Sequence, residues 1–342
     1  MIRVGVVGAG FWSTLVHLPA LAAIHDYEVV GIAAGHATSA AAAAQRFGLR
    51  KIYRDYQELV ADPEVDVVDI CAPNYLHSEI TLSALSQGKD VICIKPLATS
   101  LAEAEKMVEA AARLGRKVLY AENVPFIPAL GRLKSLVDAG LYGEIFRLKA
   151  CQGIGKLHAE WFADPVRSGG GCIIDMAVHG FAFLQWFAGD SEAIRVHTEA
   201  GTFVHPYAVE DTAVTTVRFA NGVIGQTEDS WSLTGGFDSR FEVFGTRGHA
   251  LVDLLFGHPI RSALGGSSEG GGSRISYEPV DDHYVKDGHL GMFKHFRDCL
   301  LHGAESRSDG QHGLRIMKLV DAAYCSFRSG TSVQPASSSI EI

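Results

Sequence analysis

Cysteine and proline are scarce in this chain, with 6 and 11 among 342 residues. The six cysteines form no CxxC pair and no HExxH motif occurs, so we expect neither a disulfide framework nor a metal site. Scattered thiols inside apolar runs are typical of reduced cysteines in the cytoplasm. The first residues, MIRVGVVGAGFW, lack the charged start and cleavage site of a signal peptide. We therefore predict a cytoplasmic protein.

An excess of positive charge is also missing. Thirty Lys and Arg face 39 Asp and Glu, which gives a formal net charge of -9. This sign disfavours nucleic acid and anionic membranes as partners. The longest nearly uncharged stretch, 169–189, contains Asp175 and His179 and predicts a buried helix rather than a membrane span.

Glycine, by contrast, is abundant, with 37 residues. Gly8 and Gly10 follow an apolar strand in VGVVGAGFWS, and Phe11 and Trp12 begin the next helix. This order is typical of a dinucleotide-binding turn, in which glycine lets the backbone approach a pyrophosphate at a helix N-terminus. Ser13 stands where a third glycine is usual. The alternative is a turn that merely needs a positive φ.

The second strand predicts which dinucleotide is bound. An acid that holds the ribose 2′-hydroxyl is expected about 20 residues after the glycines. Here the chain instead has small residues around Ala34 and His36. These leave room for a 2′-phosphate. We therefore predict NAD(P) as cofactor, with NADP slightly favoured.

The whole chain has the length of two domains. Short β-branched runs alternate with helical segments up to about residue 121, which predicts a doubly wound parallel sheet of the Rossmann type. Consecutive strands then predict a second α/β domain with an open, mainly antiparallel sheet. We place the dinucleotide-binding domain at 1–123, a substrate-binding and oligomerisation domain at 124–330 and a tail at 331–342.

Polar residues follow several of the predicted parallel strands. Ligands of such sheets bind beyond the carboxyl ends of the strands, so these residues are expected around the cofactor. Lys95 is the one ammonium among them and is the candidate with a catalytic role. The set comprises Ala72, Pro73, Asn74, His77, Lys95, Pro96 and Asn123.

A second cluster lies in the sequence SGGGCIIDMAVH. Asp175 and His179 are four residues apart, so a helix places them on one face, where the aspartate can orient the imidazole for acid–base work. The alternative is a polar pair that satisfies itself inside an apolar helix. The three preceding glycines, 169–171, are expected to let the backbone crowd against a ligand.

Together these segments resemble the Gfo/Idh/MocA oxidoreductases. The likeness extends over nearly the whole chain and rests on VGAGFW, APNYLH, Lys95-Pro96, AEN at 121–123, GGG with Asp175 and His179, EDTA at 210–213, HFRDCL and DGQHGL. The resemblance implies oxidation of a secondary alcohol of a sugar or cyclitol, with Lys95, Asp175 and His179 as the catalytic set. It also implies a homodimer or homotetramer formed through the open sheet.

The chain departs from that family pattern at three places. Ile94 replaces the glutamate of the Glu-Lys-Pro motif, Ser13 replaces a glycine, and residues 124–126 lack an arginine common in members. We expect hydride transfer at a sugar carbon, with Trp161 and Arg167 in the substrate pocket. Two alternatives remain at this point: a lyase that oxidises the sugar only transiently, and a non-catalytic dinucleotide sensor.

Overall fold

The computed structural model describes residues 1–189, 191–255, 260–265, 274–278 and 284–336. Its first sheet has six parallel strands in the order β3-β2-β1-β4-β5-β6. The strands are β1 (Ile2–Val7), β2 (Tyr27–Ala33), β3 (Lys51–Tyr53), β4 (Val67–Ile70), β5 (Asp90–Ile94) and β6 (Val118–Ala121). Most of their residues are buried, as is expected for a parallel sheet covered on both faces.

Helices connect these strands: α1 (Leu18–Ala22), α2 (Ala37–Phe47), α3 (Tyr56–Ala61), α4 (His77–Ser86) and α5 (Leu101–Leu114). Local sequence signals set their ends. Asp55 caps α3 by accepting from the backbone N–H of Glu58 at 2.8 Å, and Gly115 ends α5 in the left-handed conformation. The predicted parallel α/β sheet is thus confirmed.

The second sheet has eight strands in the order β14-β13-β12-β11-β7-β10-β9-β8, and among them β7 and β10 run parallel while the other paired neighbours are antiparallel. The strands are β7 (Ile145–Ile154), β8 (Ala193–Gly201), β9 (Thr212–Phe219), β10 (Ile224–Ser230), β11 (Phe237–Gly245), β12 (Gly248–Asp253), β13 (Ile260–Leu264) and β14 (Arg274–Glu278). The mainly antiparallel sheet predicted for this part of the chain is confirmed.

Among the described residues, helices pack against one face of this sheet, and the side chains of the other face are more exposed. Buried and more exposed residues alternate along β9 and β10, which is the pattern of a sheet covered on one face. The helices α6 (Pro128–Asp138), α7 (Pro165–Ser168) and α8 (Val178–Ala188) precede β8 along the chain, and α9 (Tyr284–His302) and α10 (Gly310–Ser329) follow β14. Gly180 of α8 lies so close to β10 that an added Cβ would be 2.5 Å from the Cγ2 of Thr227.

The helical run Pro165–Ala188 is long and apolar enough to cross a membrane, with a mean hydropathy of 1.3. However, 83% of the apolar 18-residue stretch of this run is buried inside the structure. The core helix of a folded domain has the same length and composition, so this run is weak evidence for a membrane span.

The contacts divide the chain into two compact units. The first contains Met1–Asn123, Val166–Gly169 and Val285–Met317, and the second contains the remaining described residues. The predicted second domain, 124–330, is therefore not one continuous stretch. Residues 285–317 join the first unit because they pack on its sheet: the Tyr27 hydroxyl donates to the Phe293 carbonyl at 2.9 Å, and the Tyr120 N–H to the Ser308 carbonyl at 2.8 Å. Residues 266–273 and the second half of the predicted tail, 337–342, lie outside the described residues.

Candidate active site

The glycine turn after β1 has two glycines with different physical requirements. Gly8 has a φ of +114°, and a Cβ on it would lie 2.3 Å from the carbonyl oxygen of Cys71. Glycine is needed there because the chain after β4 passes directly against the turn. Gly10 is exposed, and an added Cβ would meet no atom of the described chain within 4 Å. The missing side chain of Gly10 leaves the backbone open on the outside of the turn.

A wide helical turn follows these glycines. Residues Ser13–His17 form a π-helical turn before α1, and the N–H of Thr14 donates to the carbonyl of Gly10 at 3.0 Å. Phe11 is half exposed, and Trp12 lies against His289 with ring centroids 6.1 Å apart. Ser13, at the usual third glycine position, is buried and so faces the protein interior.

At the end of β2 the described residues offer no carboxylate in the stretch 34–39. Ala34 is half-buried and His36 is exposed at the N-cap of α2, where its side chain makes no capping hydrogen bond. Small and exposed residues thus surround the position at which a ribose-binding acid is usual.

His77 joins the ends of β4 and β5. Its ring is fully buried, with Nδ1 2.8 Å from the carbonyl oxygen of Pro96 and Nε2 2.9 Å from that of Ala72. Burial lowers the pKa of His77. The ring therefore braces the Ala72-Pro73 turn against the Lys95-Pro96 turn, a structural role that sequence reasoning did not foresee.

Asn74 is buried as well and its side-chain amide donates to the carbonyl of Ser168 at 2.9 Å. Next to it, the guanidinium of Arg167 lies 5.2 Å from the centre of the exposed Tyr75 ring. Arg167 is therefore placed over an aromatic face in the first unit, a cation–π arrangement.

Lys95 follows β5 directly and is half-buried. Ile94, which replaces the glutamate of the family motif, is 8% exposed and is paired in register with Ala121 of β6. Asn123, two residues further along that strand end, is also buried. The carboxyl ends of β5 and β6 thus bring Lys95 and Asn123 to the same edge of the sheet as the glycine turn.

Asp175 lies in a second π-helical turn, Ile173–Ala177, and His179 lies in the first turn of α8. A π turn is wider than an α turn, so the regular i, i+4 geometry used to predict their pairing does not apply unchanged; such turns are frequent at functional sites. Asp175 is 2% exposed, and its Oδ2 accepts a hydrogen bond from Nε1 of Trp231 at 2.9 Å. His179 is half-buried.

The glycines before this helix make room for the protein itself. A Cβ on Gly170 would lie 1.9 Å from the Tyr324 hydroxyl, and one on Gly171 would lie 2.0 Å from the Glu210 carbonyl oxygen. The prediction that they admit a ligand is wrong for these two residues. The buried Oε1 of Glu210 accepts from the N–H groups of Gly171 and Ile173, at 3.0 and 3.1 Å, and so fixes the start of the helix.

Trp161 is half-buried in the 3-10 turn Glu160–Ala163 and stacks on Phe162, with ring centroids 3.9 Å apart. Phe162 in turn meets the Trp231 ring edge-on at 6.5 Å. The aromatic Trp161 thus belongs to a cluster that reaches the hydrogen-bond partner of Asp175. The sequence alone does not show that Trp231, directly after β10, contacts Asp175.

One group of described residues has the side chains and spacing for a metal ion: His17, Asp69 and Cys71. The Nδ1 of His17 lies 3.0 and 3.1 Å from the two oxygens of Asp69, and both side chains are fully buried. Burial, together with the charge of Asp69, raises the pKa of the Cys71 thiol well above its usual value. The hydrogen bond between His17 and Asp69 ties the turn before α1 to β4.

Comparison with known proteins matches both parts of the chain. Residues 2–122 match the model described as "Oxidoreductase family, NAD-binding Rossmann fold", and residues 130–251 match the "GFO/IDH/MocA C-terminal domain". The 1,5-anhydro-D-fructose reductase of Ensifer adhaerens is 33% identical over 82% of this chain and 84% of its own length. The myo-inositol 2-dehydrogenase of Thermotoga maritima is 28% identical over 97% of this chain and 98% of its own.

A solved structure of a levoglucosan dehydrogenase, in complex with NADH and levoglucosan, has the same fold. Its TM-score is 0.90 at 24% identity, over 98% of this chain and 100% of that one. The two matched domains agree with the parallel sheet and the glycine turn. The chain therefore belongs to the GFO/IDH/MocA oxidoreductase family and carries its NAD-binding Rossmann domain.

Proposed function

We propose that this protein is an NAD(P)-dependent dehydrogenase or reductase that transfers a hydride between nicotinamide and a secondary alcohol or ketone of a sugar, sugar derivative or cyclitol. The observation that carries the proposal is Lys95, a half-buried ammonium at the carboxyl end of β5, on the edge of an NAD-binding sheet that also bears the Gly8–Gly10 turn. The names of the similar proteins, an inositol dehydrogenase and an anhydrofructose reductase, support net redox chemistry over a transient-oxidation lyase or a sensor.

The bound nicotinamide supplies the hydride acceptor or donor. His179, oriented by Asp175, removes the proton of the substrate hydroxyl and returns it in the reverse direction. Lys95 donates a hydrogen bond to the same oxygen and stabilises the developing alkoxide. In the second assignment of roles, Lys95 takes the place of His179 as the base that removes the proton of the substrate hydroxyl.

The residues proposed to hold the cofactor lie at the carboxyl edge of the parallel sheet. The turn at Gly8 and Gly10 supports the pyrophosphate, and the small residues after β2 leave space for a 2′-phosphate, which slightly favours NADP. The full set is Gly8, Gly10, Phe11, Trp12, Ala34, His36, Ala72, Pro73, Asn74, His77, Lys95, Pro96 and Asn123. Because His77 is buried against two carbonyls, its part in this proposal is to position the turns rather than to touch the cofactor. Trp161, Arg167, Lys95, Asp175 and His179 are proposed to contact the sugar.

Two further properties are proposed. The open face of the eight-stranded sheet carries exposed apolar side chains, with Val214 40%, Ile275 62% and Tyr277 65% exposed, and this supports a homodimer or homotetramer formed through that face. Light scattering on the purified protein measures the mass; a monomer at micromolar concentration contradicts the proposed oligomer.

All six cysteines are free, which supports a cytoplasmic location.

The test of the proposed function is kinetic. A panel of sugars and polyols is screened at the nicotinamide absorbance, and Lys95→Ala, Asp175→Ala and His179→Ala are then compared on the best substrate. Each variant should lose most of the turnover while it still binds NAD or NADP in a fluorescence titration. Near-native turnover in both Lys95→Ala and His179→Ala contradicts the assignment.

A further inference from the structure

We propose that Trp231 is a positioning residue for the reaction: its indole N–H holds the Asp175 carboxylate in the orientation in which it works with His179. This inference rests on the proposed function, in which Asp175 and His179 form the acid–base pair. It adds a residue that directly follows β10, 56 positions from Asp175 in sequence, to a pair carried by the π turn and α8.

The contact is a buried hydrogen bond. Nε1 of Trp231 lies 2.9 Å from Oδ2 of Asp175, and the two residues are 0% and 2% exposed. A buried carboxylate needs hydrogen-bond donors to offset its loss of hydration, and a bond to an ionised acceptor is stronger than a neutral one. An indole N–H is a donor only, so its presence at this oxygen favours the ionised carboxylate. It also restricts rotation of the carboxyl group.

Trp231 is held by its backbone and by two neighbouring rings. The backbone N–H of Trp231 donates to the Asp211 carbonyl at 2.7 Å, and its carbonyl oxygen lies 3.1 Å from Nε2 of His205. The edge-on rings of Phe162 and Tyr207 have centroids 6.5 and 6.3 Å away. A donor held this rigidly orients its acceptor without a further entropy cost at the moment of reaction.

Asp211 anchors this arrangement. Its carboxylate accepts backbone N–H groups of Phe203, Val204 and His205 at 2.8–3.0 Å. The loop that follows β8 is therefore tied to the residue that pairs with the Trp231 backbone. The Trp231 ring and the π turn that carries Asp175 are positioned by different parts of the second unit, and the hydrogen bond between them sets the side-chain geometry of Asp175.

The experiment compares Trp231→Phe with Trp186→Phe, a matched loss of an indole N–H from the half-buried Trp186 of α8. We expect kcat of Trp231→Phe to fall about tenfold to hundredfold, the value of a hydrogen bond to a charged group, while KM for the sugar and the cofactor Kd stay within about twofold. Trp186→Phe should keep the wild-type kcat. A wild-type kcat in Trp231→Phe, or an equal loss in Trp186→Phe, overturns the proposal.

A double-mutant cycle separates positioning from mere stability. Because Trp231 acts through Asp175, Trp231→Phe should have little further effect on kcat in an Asp175→Asn background. An undiminished additional loss in that background overturns the proposal. If Trp231→Phe does not fold, Trp231→Tyr removes the same N–H with an aromatic ring retained, and the same comparison applies.

The proposed function fails differently. Full turnover in Asp175→Asn and His179→Ala contradicts the catalytic pair itself, whereas impaired turnover in both, together with a normal Trp231→Phe, contradicts only the positioning role.

Discussion

The phenolic hydroxyl of Tyr324 donates a hydrogen bond to Oε1 of Glu210 at 2.8 Å, although the two residues are 114 positions apart. The same oxygen accepts the N–H groups of Gly171 and Ile173. Burial raises the pKa of Glu210, which these hydrogen bonds oppose. The pair fills the space over Gly170 and Gly171 and so defines where the helix that carries Asp175 begins.

Removal of the Tyr324 hydroxyl tests this pair. Tyr324→Phe should lower the free energy of unfolding by about 1–3 kcal/mol, because a buried carboxylate loses a donor. Urea denaturation monitored by circular dichroism measures it. Tyr277→Phe, in the 65% exposed Tyr277, serves as control and should be neutral. Equal stability of the two variants would show that the Tyr324 hydroxyl does not support the helix start.

Substitution of the two glycines in the first turn should separate folding from cofactor binding. Gly8→Ala places a Cβ against the Cys71 carbonyl at a positive φ, so we expect both a lower thermal midpoint and weaker binding. Gly10→Ala has room in the described structure and should fold like the wild type, but it should weaken NAD binding because the new methyl group lies where the pyrophosphate approaches. Differential scanning fluorimetry and a binding titration check both. Unchanged binding in Gly10→Ala would contradict this placement of the cofactor.

Asp229 predicts an unusual dependence of stability on pH. Asp229 is 1% exposed, and burial raises its pKa well above the usual value. In the unfolded chain, Asp229 ionises near its ordinary pKa of about 4. In the folded chain, the raised pKa keeps its carboxyl group protonated to a higher pH. Its contribution to stability is therefore fully present below that pH and is lost as the pH rises toward the folded pKa.

Asp229→Asn removes this loss, because the amide carries no charge in either state. We expect the variant to gain stability relative to the wild type as the pH is raised from 4 to 7, measured as urea unfolding at each pH. Asp138→Asn, in an exposed ion pair with Lys134, is the control. A difference between Asp229→Asn and the wild type that stays constant with pH would mean that Asp229 is ionised in the fold.

The cofactor preference is tested at the end of β2. Ala34→Asp supplies a carboxylate where the chain has none, so it should repel a 2′-phosphate and accept hydrogen bonds from a 2′-hydroxyl. We expect the ratio of kcat/KM for NADP to that for NAD to fall at least about tenfold, the effect of about 1.4 kcal/mol. Ser39→Ala, a neutral change in the same exposed stretch, is the control. An unchanged ratio would place the ribose elsewhere.

Much of the fold follows from local pattern. Alternating β-branched runs and helices predict the parallel sheet, because buried runs such as those of β1 and β5 end at glycine or charged residues. Short β3 has three residues with Ile52 exposed, so its sequence does not show the buried apolar run that marks the other parallel strands. Helix α6 begins at Pro128, in the first turn, where proline is tolerated.

The sequence by itself determined the fold class, the glycine turn, the edge at which Lys95 lies and the helix that carries Asp175 and His179. These depend on neighbours within one strand or one helical turn, which periodicity and spacing report. Only the tertiary structure decided what supports that helix and turn. Each support joins residues from different elements: Tyr324 pairs with Glu210, Trp231 pairs with Asp175, and His77 joins two strand ends. These contacts are needed because a buried polar group without a partner is costly.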